Sequence, residues 1–144
     1  MSVASLEARR RFSACRRTAS VITGTDHVTA NGTVCNKIGT CRKALAAHDN
    51  GVPFQIVLPS PTIVFSVNDG RKIPTEHCSV CEVATMTGRI ETAKNIPDGL
   101  PVANYAFDVT PARLVKGLIT ERGVLRANRE VLAQAFSERA EKIG

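Results

Sequence analysis

The apolar positions of this chain fall into short blocks separated by turn residues. Val21-Ile22 is a brief apolar run ahead of Gly24 and predicts the end of a buried, central strand. Over residues 36–48, Ile38, Cys41, Leu45 and His48 recur at spacings of three and four, which marks one face of a helix. Asp49-Asn50-Gly51 stops that helix. Pro53 opens an apolar run over residues 54–58, a strand with proline at its entry, where a missing N–H costs least. Pro59-Ser60-Pro61 closes it. Strand, helix, strand over this distance is the crossover unit of a parallel sheet. Residues 62–104 are broken by glycines and prolines and predict short strands and loops. Thr110-Pro111 reads as a helix start, with Leu114, Val115, Leu118 and Ile119 as its stripe and Gly123 as its stop. Asn128 predicts the cap of a last helix, whose stripe is Val131, Leu132, Ala135 and Phe136.

Length and composition narrow the class. The 144 residues suit one domain, with 43% hydrophobic and 22% charged residues, as in soluble globular proteins. No apolar run is long enough to predict a membrane span. The formal net charge of +6 invites a nucleic-acid reading, but its distribution argues against one. Residues 1–17 hold five arginines against Glu7, whereas residues 18–144 hold 14 basic and 12 acidic side chains. The basic character belongs to an Arg- and Ser-rich tail, which reads as a disordered or displaced segment rather than a transit peptide. Aromatics at 4% leave few stacking platforms for single-stranded nucleic acid. The five cysteines are an odd number with no secretory signal before them, so free thiols in a reducing cytoplasm are expected.

The candidate chemistry gathers between Val21 and Gly39. Gly24-Thr25-Asp26 sets a carboxylate just past a strand end, where open α/β sheets bind ligands. Asn36-Lys37 is expected in or near the first helical turn, where free N–H groups and the helix dipole suit a phosphate. Taken alone, such an Asp is more often a cap or turn former, an Asn a cap and a Lys a solvated cation, and these are the commoner readings of Asp26, Asn36 and Lys37. Cys78-x-x-Cys81 beside His77 has part of a zinc spacing but lacks a second pair of ligands, so no metal is expected.

The wording of that stretch, GTDHVTANGTVCNKIGT, resembles the active-site segment of the methylthioribose-1-phosphate isomerases, a family related to the regulatory subunits of translation initiation exchange factor 2B. The resemblance continues in order through KALAAHDNGVPF, VLPSPTI, DG…IP, EV…MTGR and NYAFDVTPARLVKGLITERGV, and covers residues 19–124. It implies a three-layer Rossmann-like α/β domain around a parallel sheet, like the family's C-terminal half. It implies isomerisation of 5-methylthioribose 1-phosphate to 5-methylthioribulose 1-phosphate, in methionine salvage, without a cofactor. Asp26 then takes the place of the catalytic acid/base, and Asn36 and Lys37 those of the sugar-phosphate contacts. Asp108 matches a loop at the active-site mouth, with a cap for the Thr110 helix as its plainer reading. A sugar-phosphate substrate, a homodimer or other self-association and a complementing N-terminal half are the implied partners, with no nucleic acid and no membrane.

The chain also departs from the family pattern. It has His27 for Arg, Cys41 for Tyr, Val64 for Asp, His77-Cys78 for Glu-Arg and Tyr105 for Pro. The family's nucleophilic cysteine is none of the five present, and its phosphate-holding arginines fall in segments this sequence does not contain. The resemblance thus implies an unmatched basic tail over 1–18 and a domain over 19–144 truncated at its N-terminal side. Its fold is expected to be inherited and its activity, as a fragment, absent. The alternative is a non-catalytic binding or assembly domain like the initiation-factor relatives.

Overall fold

A computed structural model describes residues 19–68, 70–73, 78–79, 81–89, 91–94, 96–97 and 100–140. The basic tail over 1–18 and residues 74–77, His77 among them, lie outside the described residues. The chain runs through β1 (Val21–Thr23), β2 (His27–Thr29), β3 (Val34–Lys37), α1 (Thr40–Asp49), β4 (Phe54–Val57) and β5 (Ile63–Val64). After them come α2 (Cys81–Ala84), β6 (Thr85–Thr87), β7 (Thr92–Lys94), β8 (Phe107–Thr110), β9 (Gly117–Thr120), β10 (Gly123–Leu125), α3 (Arg129–Ala135) and α4 (Ser137–Ala140).

Two four-stranded sheets organise these elements, with β6 and β7 as a separate hairpin. The first has the order β1-β4-β9-β10, the second β5-β2-β3-β8. In the first, β1, β4 and β9 are parallel and β10 turns back antiparallel. In the second, β2 pairs parallel with β5, and the other ladders are antiparallel. The fold is therefore mixed α/β. The expected parallel sheet is present as three strands, and the expectation missed that a second, mixed sheet holds the segment after β1. Among the described residues β1 lies at a sheet edge rather than at the centre. Leaving β1, the chain makes the β2–β3 hairpin before α1 carries it back to β4, so the strand–helix–strand crossover is real.

Helix α1 forms where expected but presents a different face. Its buried residues are Thr40, Ala44, Ala46 and Ala47. Ile38 precedes the helix and is 49% exposed, and Leu45 is 47% exposed. Cys41 is half-buried and His48 exposed. Small alanine side chains let the helix backbone approach the sheet closely, and close packing, not side-chain size, decides which face goes inward. Gly51 ends the helix at a φ of 66° and donates its N–H to the His48 carbonyl, a left-handed stop.

The helix expected after Thr110 is instead the end of β8, one 3-10 turn over Ala112–Leu114 and strand β9. Leu114, Val115 and Leu118 are buried as the stripe required. The same spacing serves a turn followed by a strand, and β-branched Ile119 and Thr120 suit the strand. The last helix begins as the sequence suggests: the Asn128 side chain accepts from the Val131 N–H at 2.9 Å, and Leu132 and Phe136 are fully buried. The core joins both sheets and the helices through Val28, Val34, Ala44, Phe54, Ile56, Ile63, Leu118, Leu132 and Phe136.

One glycine fixes how the hairpin docks. Gly32 has a φ of 85°, and a β-carbon there would lie 2.4 Å from the carbonyl carbon of Ala127. No other residue combines that conformation with that approach.

Candidate active site

The site is built on the segment from β1 to α1, at the carboxyl end of the parallel strands. Asp26 sits exposed in the bend after β1. Its neighbour Thr25 donates its hydroxyl to the Cys35 carbonyl at 2.8 Å, with the His27 carbonyl at 2.9 Å, which ties the bend to β3. The Asn31-Gly32 turn then reverses the chain: the Asn31 side-chain oxygen accepts from the Thr33 N–H at 3.0 Å, as asparagine does in such turns.

Asn36 and Lys37 lie in strand β3, not in the first turn of the helix. The reason is pairing: Asn36 stands opposite Asp108, and Lys37 opposite Phe107, in the β3–β8 ladder. The Asn36 amide still reaches the helix start, donating Nδ2 to the Thr40 hydroxyl at 2.9 Å. Thr40 in turn donates to the Lys37 carbonyl at 2.8 Å. Lys37 is exposed, with its ammonium 3.8 Å from the Cys78 sulfur.

Asp108 does cap a helix, but it caps α1 rather than the turn that follows it. Its carboxylate accepts from the Gly39 N–H at 2.7 Å and from the Cys41 N–H at 3.1 Å. Gly39 at the helix entry has no side chain to cap with, so a residue 69 positions away supplies the oxygens. Two of the N–H groups expected to cradle a phosphate are thereby occupied by a protein carboxylate. No local signal in the sequence announces this link.

Cys35 lies beneath these groups, 1% exposed. Burial raises its thiol pKa above the ordinary 9.0, and the carboxylates of Asp26 and Asp108 raise it further. The register agrees: His27, next to Asp26, pairs with Cys35, and Asp108 pairs with Asn36, so both acidic residues lie around the same end of β3. Burial, then Asp108, raises the Cys41 thiol in the same way. The arrangement offers one solvent-facing carboxylate, one exposed ammonium and one side-chain amide whose carbonyl oxygen accepts no hydrogen bond among the described residues. Such a set can exchange a proton with, and hold, a polar anionic substrate. Cys78 and Cys81 are free thiols, and among the described residues no three His, Cys, Asp or Glu side chains converge. No helix among the described residues is long and apolar enough to cross a membrane.

The chain is 57% identical over 126 residues to the methylthioribose-1-phosphate isomerase of Rhodospirillum rubrum, an alignment that covers 83% of this chain and 32% of that protein. The crystal structure of 5-methylthioribose 1-phosphate isomerase from Pyrococcus horikoshii OT3 superposes with a TM-score of 0.76 at 36% identity, over 94% of this chain and 35% of that one. The delta subunit of translation initiation factor eIF-2B from A. fulgidus gives 0.73 at 26% identity, over 94% and 37%. The chain thus spans about a third of the length of the relatives it matches. The profile of the initiation factor 2 subunit family matches residues 12–127, and with these isomerases among its relatives the chain belongs to that family.

Proposed function

We propose that this chain carries part of the active site of a methylthioribose-1-phosphate isomerase. The observation that supports this most is the 57% identity to the R. rubrum isomerase, against 26% for the structurally similar initiation-factor subunit. In this reading Asp26 is the acid/base of an aldose–ketose isomerisation, exchanging a proton with the opened sugar. Lys37 contacts the phosphate with its ammonium. Asn36, its Nδ2 committed to Thr40, accepts a hydrogen bond from a sugar hydroxyl through its Oδ1. Asp108 is a positioning residue that holds the start of α1 beside them. The chemistry uses no cofactor, and a cytoplasmic setting belongs to the same reading.

The first sheet suggests how the rest of such an enzyme is arranged. Ile22, Val57 and Val124 point to one face of it and are 57%, 44% and 68% exposed. Parallel sheets are normally covered on both faces. The segments present in the longer relatives would supply that cover and complete the three-layer domain. A second copy of this chain would be the substitute when those segments are absent.

The test is a chimera in which residues 19–144 replace the matching stretch of the R. rubrum isomerase. We expect turnover of 5-methylthioribose 1-phosphate, lowered roughly 100- to 10,000-fold by Asp26→Asn. A folded chimera without activity would overturn the reading and leave the non-catalytic assembly role. The 144-residue chain alone is expected to give no turnover, because it spans about a third of the relatives.

A further inference from the structure

At the opposite end of the first sheet, where β4 and β9 begin, a cavity of about 720 Å³ opens to solvent. That volume is in the range of small-molecule sites, roughly 300–1,000 Å³. Its walls come from three connections: the stretch from α1 to β4, the stretch from β8 to β9 and the stretch from β10 to α3. Its apolar lining includes Val52 and Pro53, backed by the core residues Phe54 and Leu114. Every charged side chain in the lining is basic: Arg113, Lys116 and Arg126, with His48 beside them as a fourth nitrogen donor.

This charge is out of keeping with the rest of the body, where the 11 other basic side chains meet 12 acidic ones. Exposed cations are ordinarily solvated singly, whereas here three line one cavity. None of the three makes an ion pair among the described residues, and no carboxylate lines the cavity. The carbonyls at the end of α1 do not answer them either: those of Ala46, Ala47 and His48 accept from the N–H groups of Asn50, Val52 and Gly51. Three cations lining one cavity with no carboxylate in its lining repel one another, and a bound anion removes that repulsion.

We propose that this cavity binds a small phosphate ester, its anionic group between Arg113, Lys116 and Arg126 and its apolar or planar body against the Val52–Phe54 wall. The site is separate from the Asp26 end, so ligand there acts as an effector or a second substrate rather than in the isomerisation itself. Arginine presents paired N–H donors that match phosphate oxygens, which favours this anion over a halide.

The probes are inorganic pyrophosphate and adenosine 5′-monophosphate, titrated by calorimetry into the 144-residue chain. We expect saturable binding of one adenosine monophosphate per chain, tighter than that of pyrophosphate. Arg113→Gln, Lys116→Gln and Arg126→Gln combined should weaken it by about tenfold or more. These side chains are exposed, so the variant is expected to fold, which circular dichroism checks. Lys37→Gln, at the other end of the sheet, should leave the binding unchanged. Absence of saturable binding, binding indifferent to the triple variant, or binding lost in Lys37→Gln would each overturn the proposal. So would retention on heparin that the triple variant abolishes without any binding of adenosine monophosphate, because the patch would then serve a polymer.

Discussion

The two sheets of this molecule are finished to different degrees. In the second sheet Val28, Thr29, Val34, Cys35, Ile63 and Thr110 are all buried, and β8 is clasped to α1 through Asp108. In the first, Phe54, Ile56 and Leu118 are buried on one side, whereas Ile22, Val57 and Val124 are open on the other. The register explains the split: Val57 pairs with Ile119, and Ile119 with Val124, so these three side chains share one face. The same strands are thus core on one side and surface on the other. The difference teaches that the candidate site rests on the closed sheet, while the open sheet is where further protein has room to pack.

That contrast breaks most visibly in the core. Phe54→Ala removes a large side chain from the covered face and should cost about 3–5 kcal/mol, read by chemical denaturation. A loss below about 1 kcal/mol would mean that the covered face is as loosely built as the open one. Gly32→Ala tests the hairpin of the closed sheet. Its left-handed backbone and the Ala127 contact predict a loss of about 1–3 kcal/mol from conformation alone, with the steric clash added. Asp108→Ala removes the cap of α1 and should cost about 0.5–2 kcal/mol. Faster hydrogen exchange at Gly39 and Cys41 would locate that loss, and unchanged exchange there would remove Asp108 from its positioning role.

These three positions differ in how visible they are from the sequence. Phe54 follows from an apolar run behind proline, and Gly32 from a turn dipeptide. Nothing near Asp108 points to Gly39, because the bond joins residues that meet only after β3 and β8 pair. Helix α1 was legible as a helix but not in its inward face, since alanines at Ala44 and Ala47 carry no size signal. Leu114, Val115, Leu118 and Ile119 fit a helix stripe, yet a turn and a strand bury the first three just as well and turn Ile119 to the open face. Asn128 was legible down to its hydrogen bond, because a cap acts within three residues. Of the candidate site, Asp26 was placed correctly after its strand, while Asn36 and Lys37 are held by strand pairing that a helix reading misses.

The smallest effects test the open face and the thiols. Ile22→Thr and Val124→Thr should each change stability by less than about 0.5 kcal/mol, and both should reduce self-association in sedimentation at micromolar concentration. A large destabilisation in a chain that remains monomeric would mean that its own residues cover the face. Cys81, exposed, should be alkylated well before Cys35 at pH 8. The raised Cys35 and Cys41 pKa values favour the folded thiol form. Their contribution to stability should therefore be fully present below pH 9.0, the unfolded value, and be lost as pH rises through the folded values. Constant stability from pH 8 to 11 would contradict it.

The Asp108 cap also bears on how the chain acquires its shape during synthesis. The residues of α1 are made well before residue 108, so the nascent helix begins at a glycine with its entry amides unsatisfied. A ten-residue helix in that state is marginal in water. The strand that carries Asn36 and Lys37 is in the same position, because its β8 partner is equally late. Translation that halts before β8 therefore yields a chain with Asp26, Asn36 and Lys37 all present but without the ladder that holds Asn36 and Lys37. A ribosome-bound series of increasing length should show amide protection at Gly39 appearing abruptly once β8 has emerged.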